Sequence, residues 1–343
     1  MTMSLLKRFP NKKMTIILGI ESTAHTFGIG IVRDGKILSN VRDMYRTKSG
    51  GIIPMEAAKH HKKVSKEVYE KSLEEAKIRE EQIDAIAFSQ GPGLAPCLLE
   101  GMKFVKELSR KLKKPIVPVN HCIAHLEIRA YLKNPPKDPV MLYASGANTQ
   151  VIAYASGKYR VFGETLDVGV GNFIDAFARY AGIGFPGGPL IEKLAQKGEK
   201  YIELPYKVKG MDVAFSGILT NLRQKLESKK YSLNDLAFSL QETIFAMLVE
   251  TAERAMAHTG KEELLLGGGV ACNSRLQEMC EIMCKERGAK FFCPEKSLLV
   301  DNGAMIAFLG EIMFKSGMKE KNLDKIDIKP RQRTDDVEIV WKK

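Results

Sequence analysis

The 343 residues are 44% hydrophobic and 27% charged, the make-up of a globular chain able to bury a full core. No apolar run approaches the ~18 residues of a membrane-crossing helix, and six cysteines without a CxxC pair point to a cytosolic protein with reduced thiols rather than a disulfide scaffold. The net charge of +12 is uneven: residues 1–136 hold 24 Lys/Arg against 14 Asp/Glu, so that part either faces a polyanion such as RNA or carries a Lys-rich solvated surface.

Residues 1–13 are basic, with no apolar core and no small-residue cleavage site. They read as a flexible lead-in rather than a secretory signal, with Met14 an alternative start. Ile16 to Thr26 reads as a buried strand running into a small-polar turn, Phe27 to Val32 as a second strand, and Asp34-Gly35 as a hairpin turn. His25, beside the first turn, either faces a cleft or is structural. A helix is predicted over 55–77, where His60-His61 among lysines reads as a basic helical face. A strand over 83–89 leads into the rigid turn Gln90-Gly91-Pro92-Gly93, a helix runs on to Lys113, and a strand over 115–119 ends at Asn120. The cluster Arg110, Lys111, Lys113 and Lys114 is a solvated helix end or a contact for RNA phosphate.

Asn134-Pro135-Pro136-Lys137-Asp138-Pro139 marks a boundary, and beyond it the same order of parts returns. Pro139 to Gln150 reads as a strand running into a small-polar turn, Val151 to Ala155 as a strand and Ser156-Gly157-Lys158 as a hairpin. Helices are predicted near 172–181, 189–197, 218–227 and 233–258, then a strand over 263–266 and a helix over 303–316. Two related lobes of alternating strands and helices follow, an α/β architecture. Their predicted limits are 14–136 and 137–302, with the 303–316 helix crossing back onto the first lobe and 317–343 as a tail. Paired lobes that each open with such a hairpin resemble the actin/Hsp70/sugar-kinase (ASKHA) superfamily. That likeness implies duplicated RNase H-like halves around a central cleft that holds a nucleotide.

His121-Cys122-Ile123-Ala124-His125 places two imidazoles four apart, on one face of a helix and close enough for one metal ion. Cys122 stands where the general-base Glu of a zinc protease would be. Two histidines leave an ion short of ligands; Tyr143 and Asp301, each at a predicted strand end, are candidates. Together they would form a hard N/O set suited to iron or zinc. Gly267-Gly268-Gly269 between a strand and a helix start would let a ligand approach the backbone, with Asn273 able to donate and accept; otherwise it is a tight turn with a cap. Asp167 to Asn172 with Asp175, Gly187-Gly188 and Glu192 form a further polar group. Asp175 and Glu192 would either hold ribose hydroxyls or sit near helix starts as surface acids.

Asn120 to Glu127, Tyr143 to Gln150, Gly187-Gly188-Pro189, Gly267 to Asn273 and Asp301-Asn302-Gly303, taken in order, resemble the TsaD-type tRNA threonylcarbamoyltransferase family. The archaeal and eukaryotic form, the catalytic subunit of the KEOPS complex, is the nearer likeness, from about Thr15 to Trp341. The resemblance implies transfer of a threonylcarbamoyl group from threonylcarbamoyl-AMP to the exocyclic amine of the adenosine 3′ of the anticodon, in tRNAs reading A-starting codons. It implies one divalent metal ion, iron(II) first and zinc second, on His121, His125, Tyr143 and Asp301, which act in catalysis through that ion. It implies an adenine nucleotide, as threonylcarbamoyl-AMP or an ATP analogue, against Tyr143, Ala144, Ser145, Gly146, Ala147, Asp175, Gly188, Glu192 and Asn273. tRNA, a separate kinase-like ATPase subunit and small accessory subunits are the implied partners, in the cytoplasm and away from membranes. Two positions depart from the family: Ala147 replaces a usual glycine, and Met55 stands where many relatives carry Arg. Three rivals remain at this point: an ATPase or kinase-like protein of the same superfamily, a metalloendopeptidase, and a nucleic-acid-binding module.

Overall fold

The structure, a computed structural model, describes residues 14–48 and 51–342; the basic lead-in expected over 1–13 lies outside the described residues. The first half comprises β1 (Ile16–Glu21), β2 (Thr26–Arg33), β3 (Lys36–Met44), α1 (Pro54–Ala76), β4 (Ala85–Gly91), α2 (Ala95–Leu112), β5 (Ile116–Asn120) and α3 (His121–Glu127). The second comprises β6 (Val140–Ala144), β7 (Thr149–Ala155), β8 (Lys158–Glu164), α4 (Val170–Tyr180), α5 (Gly188–Ala195), the short pair β9 (Val208–Lys209) and β10 (Asp212–Val213), and α6 (Ser216–Glu227). It continues through α7 (Leu233–Thr259), β11 (Glu263–Gly267), α8 (Ser274–Arg287), β12 (Lys290–Phe292), α9 (Lys296–Leu299) and α10 (Gly303–Lys315).

The two five-stranded sheets have the same order, β3-β2-β1-β4-β5 and β8-β7-β6-β11-β12. In each, the first three strands run antiparallel and the last two parallel to the leading strand. The duplicated α/β plan expected from the repeated hairpins is therefore present. Both hairpin turns put two successive residues at positive φ, Asp34-Gly35 at 46° and 78° and Ser156-Gly157 at 50° and 79°. That geometry matches the twist of the flanking strands.

Alternation along the leading strands separates the layers. Ile16, Leu18 and Ile20 of β1 pack with Val68, Tyr69, Val105 and Leu108 of α1 and α2. Ile17 faces the other way, into a layer that holds α3 and α10 and also receives Met141 and Tyr143 of β6. Val140, Leu142 and Ala144 point to the far face, into a core shared with α4 to α8. The odd-numbered face of β1 thus carries Glu21, and the odd-numbered face of β6 carries Tyr143, into the same interior layer.

α10 lies against the first sheet at backbone distance. A Cβ on Gly30 would stand 2.2 Å from the Ala304 nitrogen, and one on Gly303 2.2 Å from the Gly30 nitrogen, so only hydrogen fits at that crossing. The segment after α10 runs over both sheets. Glu320 bridges to Ile116 of the edge strand β5, Lys329 N donates to Gln90 O (2.8 Å) and Asn120 Nδ2 to Gln332 Oε1 (3.2 Å). Thr334 then reaches Gln150 of β7, Arg333 pairs with Glu164 of β8, and Trp341 Nε1 donates to Glu127 Oε1 (3.0 Å). Among the described residues, no helix is long and apolar enough to cross a membrane.

Candidate metal and ligand site

β5 ends where α3 begins, and Asn120 caps the helix by accepting from Ile123 N (3.1 Å). The capped start sets His121 and His125 one turn apart with ring centroids 4.8 Å from each other. Asp301 comes from the far end of the chain. Its neighbour Asn302 caps α10 through Met305 N (2.9 Å) and ties back to Val300 O (2.8 Å), which fixes the aspartate just ahead of the helix. Asp301 Oδ1 lies 3.4 Å from His121 Nε2 and 3.3 Å from His125 Nε2, and one ligand atom from each residue falls within 4.8 Å of the others.

Tyr143 stands beside them, its ring centroid 5.1 Å from that of His125. Its hydroxyl is buried with no hydrogen-bond partner. A buried polar atom left without a partner costs ~1–3 kcal/mol; the Ser145 side chain and the Cys122 thiol lie near enough to act on this hydroxyl, but neither closes a hydrogen bond of normal geometry. Two imidazole nitrogens, a carboxylate oxygen and an orphaned phenol oxygen make a mixed N/O set that fits iron or zinc.

Glu21, which sequence reasoning missed, completes the surroundings. Fully buried at the end of β1, it accepts from Thr23 N (2.7 Å) and Thr23 Oγ1 (2.5 Å) on one oxygen, while its other oxygen lies 2.8 Å from His121 Nδ1. A carboxylate on the outer nitrogen of an imidazole fixes the tautomer and leaves the inner nitrogen free to coordinate. Period-two reading of β1 could have found it, because Ile17, Gly19 and Glu21 share a face. Burial opposes charge on His121, but Glu21 and Asp301 together raise it well above the ordinary imidazole range. Burial likewise opposes charge on Asp301, yet the two imidazoles hold its carboxyl well below the usual range. His125 is pushed down by burial despite Asp301. Cys122 is buried, so no carboxylate occupies the place a zinc protease gives its base.

The expected ligand residues fall into two linked groups. In the β6–β7 turn, Ser145 O accepts from Gly171 N (3.0 Å) and Gly146 O from Asn172 N (2.9 Å), so the start of α4 holds the turn in place. Ala147 is exposed and not at positive φ, and its methyl group is accommodated without backbone strain. Asp175 of α4 accepts from Gly187 N (2.8 Å), next to Gly188 at the start of α5. Burial raises the Asp175 carboxyl, against the pull of Gly187, His25 and Gly188.

Glu192 reaches the other group. It accepts from Ser274 N (2.9 Å) and Ser274 Oγ (2.7 Å), beside Asn273. Asn273 caps α8 through Arg275 N (2.9 Å) and donates to Gln241 Oε1 (2.9 Å). Both side chains are therefore held in place within the chain. The glycine loop opens less than its sequence suggested. Gly268, at φ 90°, would place a Cβ 2.4 Å from Ala144 O, so it serves loop packing, whereas Gly269 faces open space.

Other flagged residues divide. Gln90 to Gly93 is closed over by the tail, through Lys329 and Pro330. Asp167 accepts from Phe215 N and Ser216 N (both 2.9 Å) at the start of α6; burial opposes its charge, but these bonds hold its carboxyl down at about 2. Met55 is exposed at the start of α1. His60-His61 is not a solvated basic face: His61 is fully buried and His60 pairs with Asp43 (2.8 Å).

Residues 36–308 match the family model described as TsaD, tRNA N6-adenosine threonylcarbamoyltransferase. A Thermococcus kodakarensis protein named tRNA N6-adenosine threonylcarbamoyltransferase is 58% identical over 326 residues, covering 95% of this chain and 99% of that one. A Methanosarcina mazei protein named probable bifunctional tRNA threonylcarbamoyladenosine biosynthesis protein is 52% identical over 332 residues, 96% of this chain but 60% of its own length. Among solved structures, Thermococcus kodakarensis HypF superposes with a TM-score of 0.62 at 15% identity, over 90% of this chain and 49% of its own. That likeness is one of fold alone, and the chain spans about half of that protein.

Proposed function

The chain belongs to the TsaD family of tRNA N6-adenosine threonylcarbamoyltransferases, and from that premise we propose that it forms threonylcarbamoyladenosine in tRNA. The donor is threonylcarbamoyl-AMP, and the acceptor is the exocyclic amine of the adenosine 3′ of the anticodon in tRNAs reading A-starting codons. The observation that carries this reading is the convergence of His121, His125 and Asp301 donor atoms within 4.8 Å, beside the orphaned Tyr143 hydroxyl.

His121, His125, Tyr143 and Asp301 would hold one divalent ion, iron(II) before zinc. Such an ion, when bound, supplies a fixed positive charge that anchors an anionic group or polarises a carbonyl. Glu21 keeps the proton of His121 on the outer nitrogen. Ser145 to Ala147, Asp175 and Gly188 would meet the donor from one side, Glu192 and Asn273 from the other, and the pre-set bonds of these residues reduce what must be ordered on binding. As the adenosine nitrogen attacks the carbamoyl carbon, the bond from that carbon to the phosphate oxygen breaks and AMP departs. Holding donor and amine in one geometry accounts for a large part of the acceleration. The basic first half would face tRNA. A separate kinase-like ATPase and small accessory subunits of a KEOPS-type assembly are the proposed partners, in the cytoplasm. The fused relatives support a working link to a further domain.

The test is a reconstituted transfer from labelled threonylcarbamoyl-AMP to unmodified tRNA, with and without those partners, read by nucleoside mass. Modified adenosine that disappears on chelation and in His121→Ala is the expected result. Steady ATP hydrolysis with no modified nucleoside, all partners present, would overturn it.

A further inference from the structure

His25 lies in the turn between β1 and β2, four residues from Glu21. That turn is tied to the donor triad on one side, because Thr23 bonds Glu21 and lies 3.5 Å from His121 Nδ1. On the other side the His25 ring meets Phe185 edge-on, with centroids 5.2 Å apart. Phe185 is fastened to Thr47 by two backbone bonds of 3.3 and 3.1 Å, and it leads directly into Gly187, whose N–H Asp175 accepts. The imidazole therefore stands between the triad and the Asp175–Gly188 group.

Its backbone is fixed by Tyr45 N, which donates to His25 O (2.8 Å). Among the described residues, no side-chain hydrogen bond engages its ring, and the residue is half-buried rather than sealed. A ring so placed, with free nitrogens and no partner of its own, is set to meet a ligand. The groups that face it are Glu21 on β1, Arg46 after β3, His61 on α1, Asp175 on α4 and Asp301 before α10. Burial outweighs the three carboxylates and lowers its pKa from 6.5, so at neutral pH the ring is free to accept a proton.

Resting on the transferase reading, we propose that His25 is a catalytic residue that takes the proton from the attacking adenosine amine. In the step, the N6–carbon bond forms and the carbon–oxygen bond to phosphate breaks. The electron pair leaves with AMP, one amine proton passes to the imidazole, and from there it goes to solvent. No oxidant or further reactant is needed.

Single-turnover transfer by the full chain in its reconstituted assembly tests this, across pH, with His25→Phe, His25→Asn and His25→Ala. Phenylalanine keeps the ring against Phe185 but cannot accept a proton. The expected result is a rate loss of roughly 100- to 10,000-fold in all three and loss of the acidic limb of the pH profile. Added imidazole should restore His25→Ala in part. Metal content and calorimetric affinity for threonylcarbamoyl-AMP should stay within about twofold of the parent. A His25→Phe variant with the parent's rate and profile overturns the proposal, because the ring would then only brace Phe185. No product from the parent itself overturns the transferase reading and this inference with it; product from parent and variants alike overturns this inference alone.

Discussion

Replacing Glu21 by Gln should weaken metal binding without unfolding the chain. The glutamate accepts from the Thr23 amide and hydroxyl on one oxygen and meets His121 Nδ1 at 2.8 Å with the other. Glutamine keeps the shape. Its carbonyl will stay with the two Thr23 donors, which turns the amide NH2 toward Nδ1. Once the imidazole gives up one proton to take an ion, the proton left on Nδ1 has donor facing donor, and that is relieved only by moving it to Nε2. That is the nitrogen which faces Asp301 at 3.4 Å and must offer a lone pair to an ion. Loss of such an outer-sphere partner costs 10- to 100-fold in affinity, about 1.4–2.7 kcal/mol. Competition with a chelator for zinc, and for iron(II) without oxygen, measures the change, and a thermal melt of the metal-free protein checks the fold. The reasoning is refuted if Glu21→Gln binds within about twofold of the parent while His121→Ala does not bind.

Acid should unfold the protein partly through His61, which is fully buried with neither ring nitrogen bonded and is pushed by burial, then by His60, to about 3. The Ala24 carbonyl offsets this in part without closing a bond of normal geometry. The unfolded chain protonates near 6.5 and the folded one near 3, so this contribution is whole above the higher value and is lost as pH falls between them. At pH 4 the loss is about 3 kcal/mol. His61→Leu should flatten the fall in urea stability from pH 7 to 4, and an unchanged slope would count against the account. Gly30→Ala should destabilise by about 1–3 kcal/mol or more, since its Cβ would meet the Ala304 backbone; denaturation at parent level would mean that α10 can slide. Asn273→Ala should lose about 1 kcal/mol of stability from the α8 cap and also weaken threonylcarbamoyl-AMP binding. A variant that loses stability alone would leave Asn273 a cap and nothing more.

Much of the fold was legible because its cues are local. Asp34-Gly35 and Ser156-Gly157 mark two matching hairpins, and the apolar runs ahead of them are the central strands that both sheets bury. The spacing of His121 and His125 likewise holds on α3. What stayed hidden depends on distant partners. Glu21 looks like the polar end of a strand until α3 is placed above it. Glu192 resembles a helix-start acid of its own helix, whereas it bonds the start of α8. Gly268 looks like an opening for ligand, yet Ala144 occupies the space. The segment beyond Lys315 has no apolar period to announce a role, and its contacts with Gln90, Asn120 and Glu127 appear only in three dimensions.

The crossing of α10 over the first sheet bears on how the protein is made. During synthesis the inner face of β1 and β2 emerges early, but the helix that covers it lies almost three hundred residues downstream. Until residues 303–315 leave the ribosome, that face has no lid, and His125 waits for an aspartate 176 positions away. Folding of the first half is thus committed to long-range closure, which is slow and leaves apolar surface open to aggregation. A nascent chain stalled before Asp301 would be a substrate for chaperones, with α1 to α9 encoded but neither α10 nor the third donor of the candidate metal site.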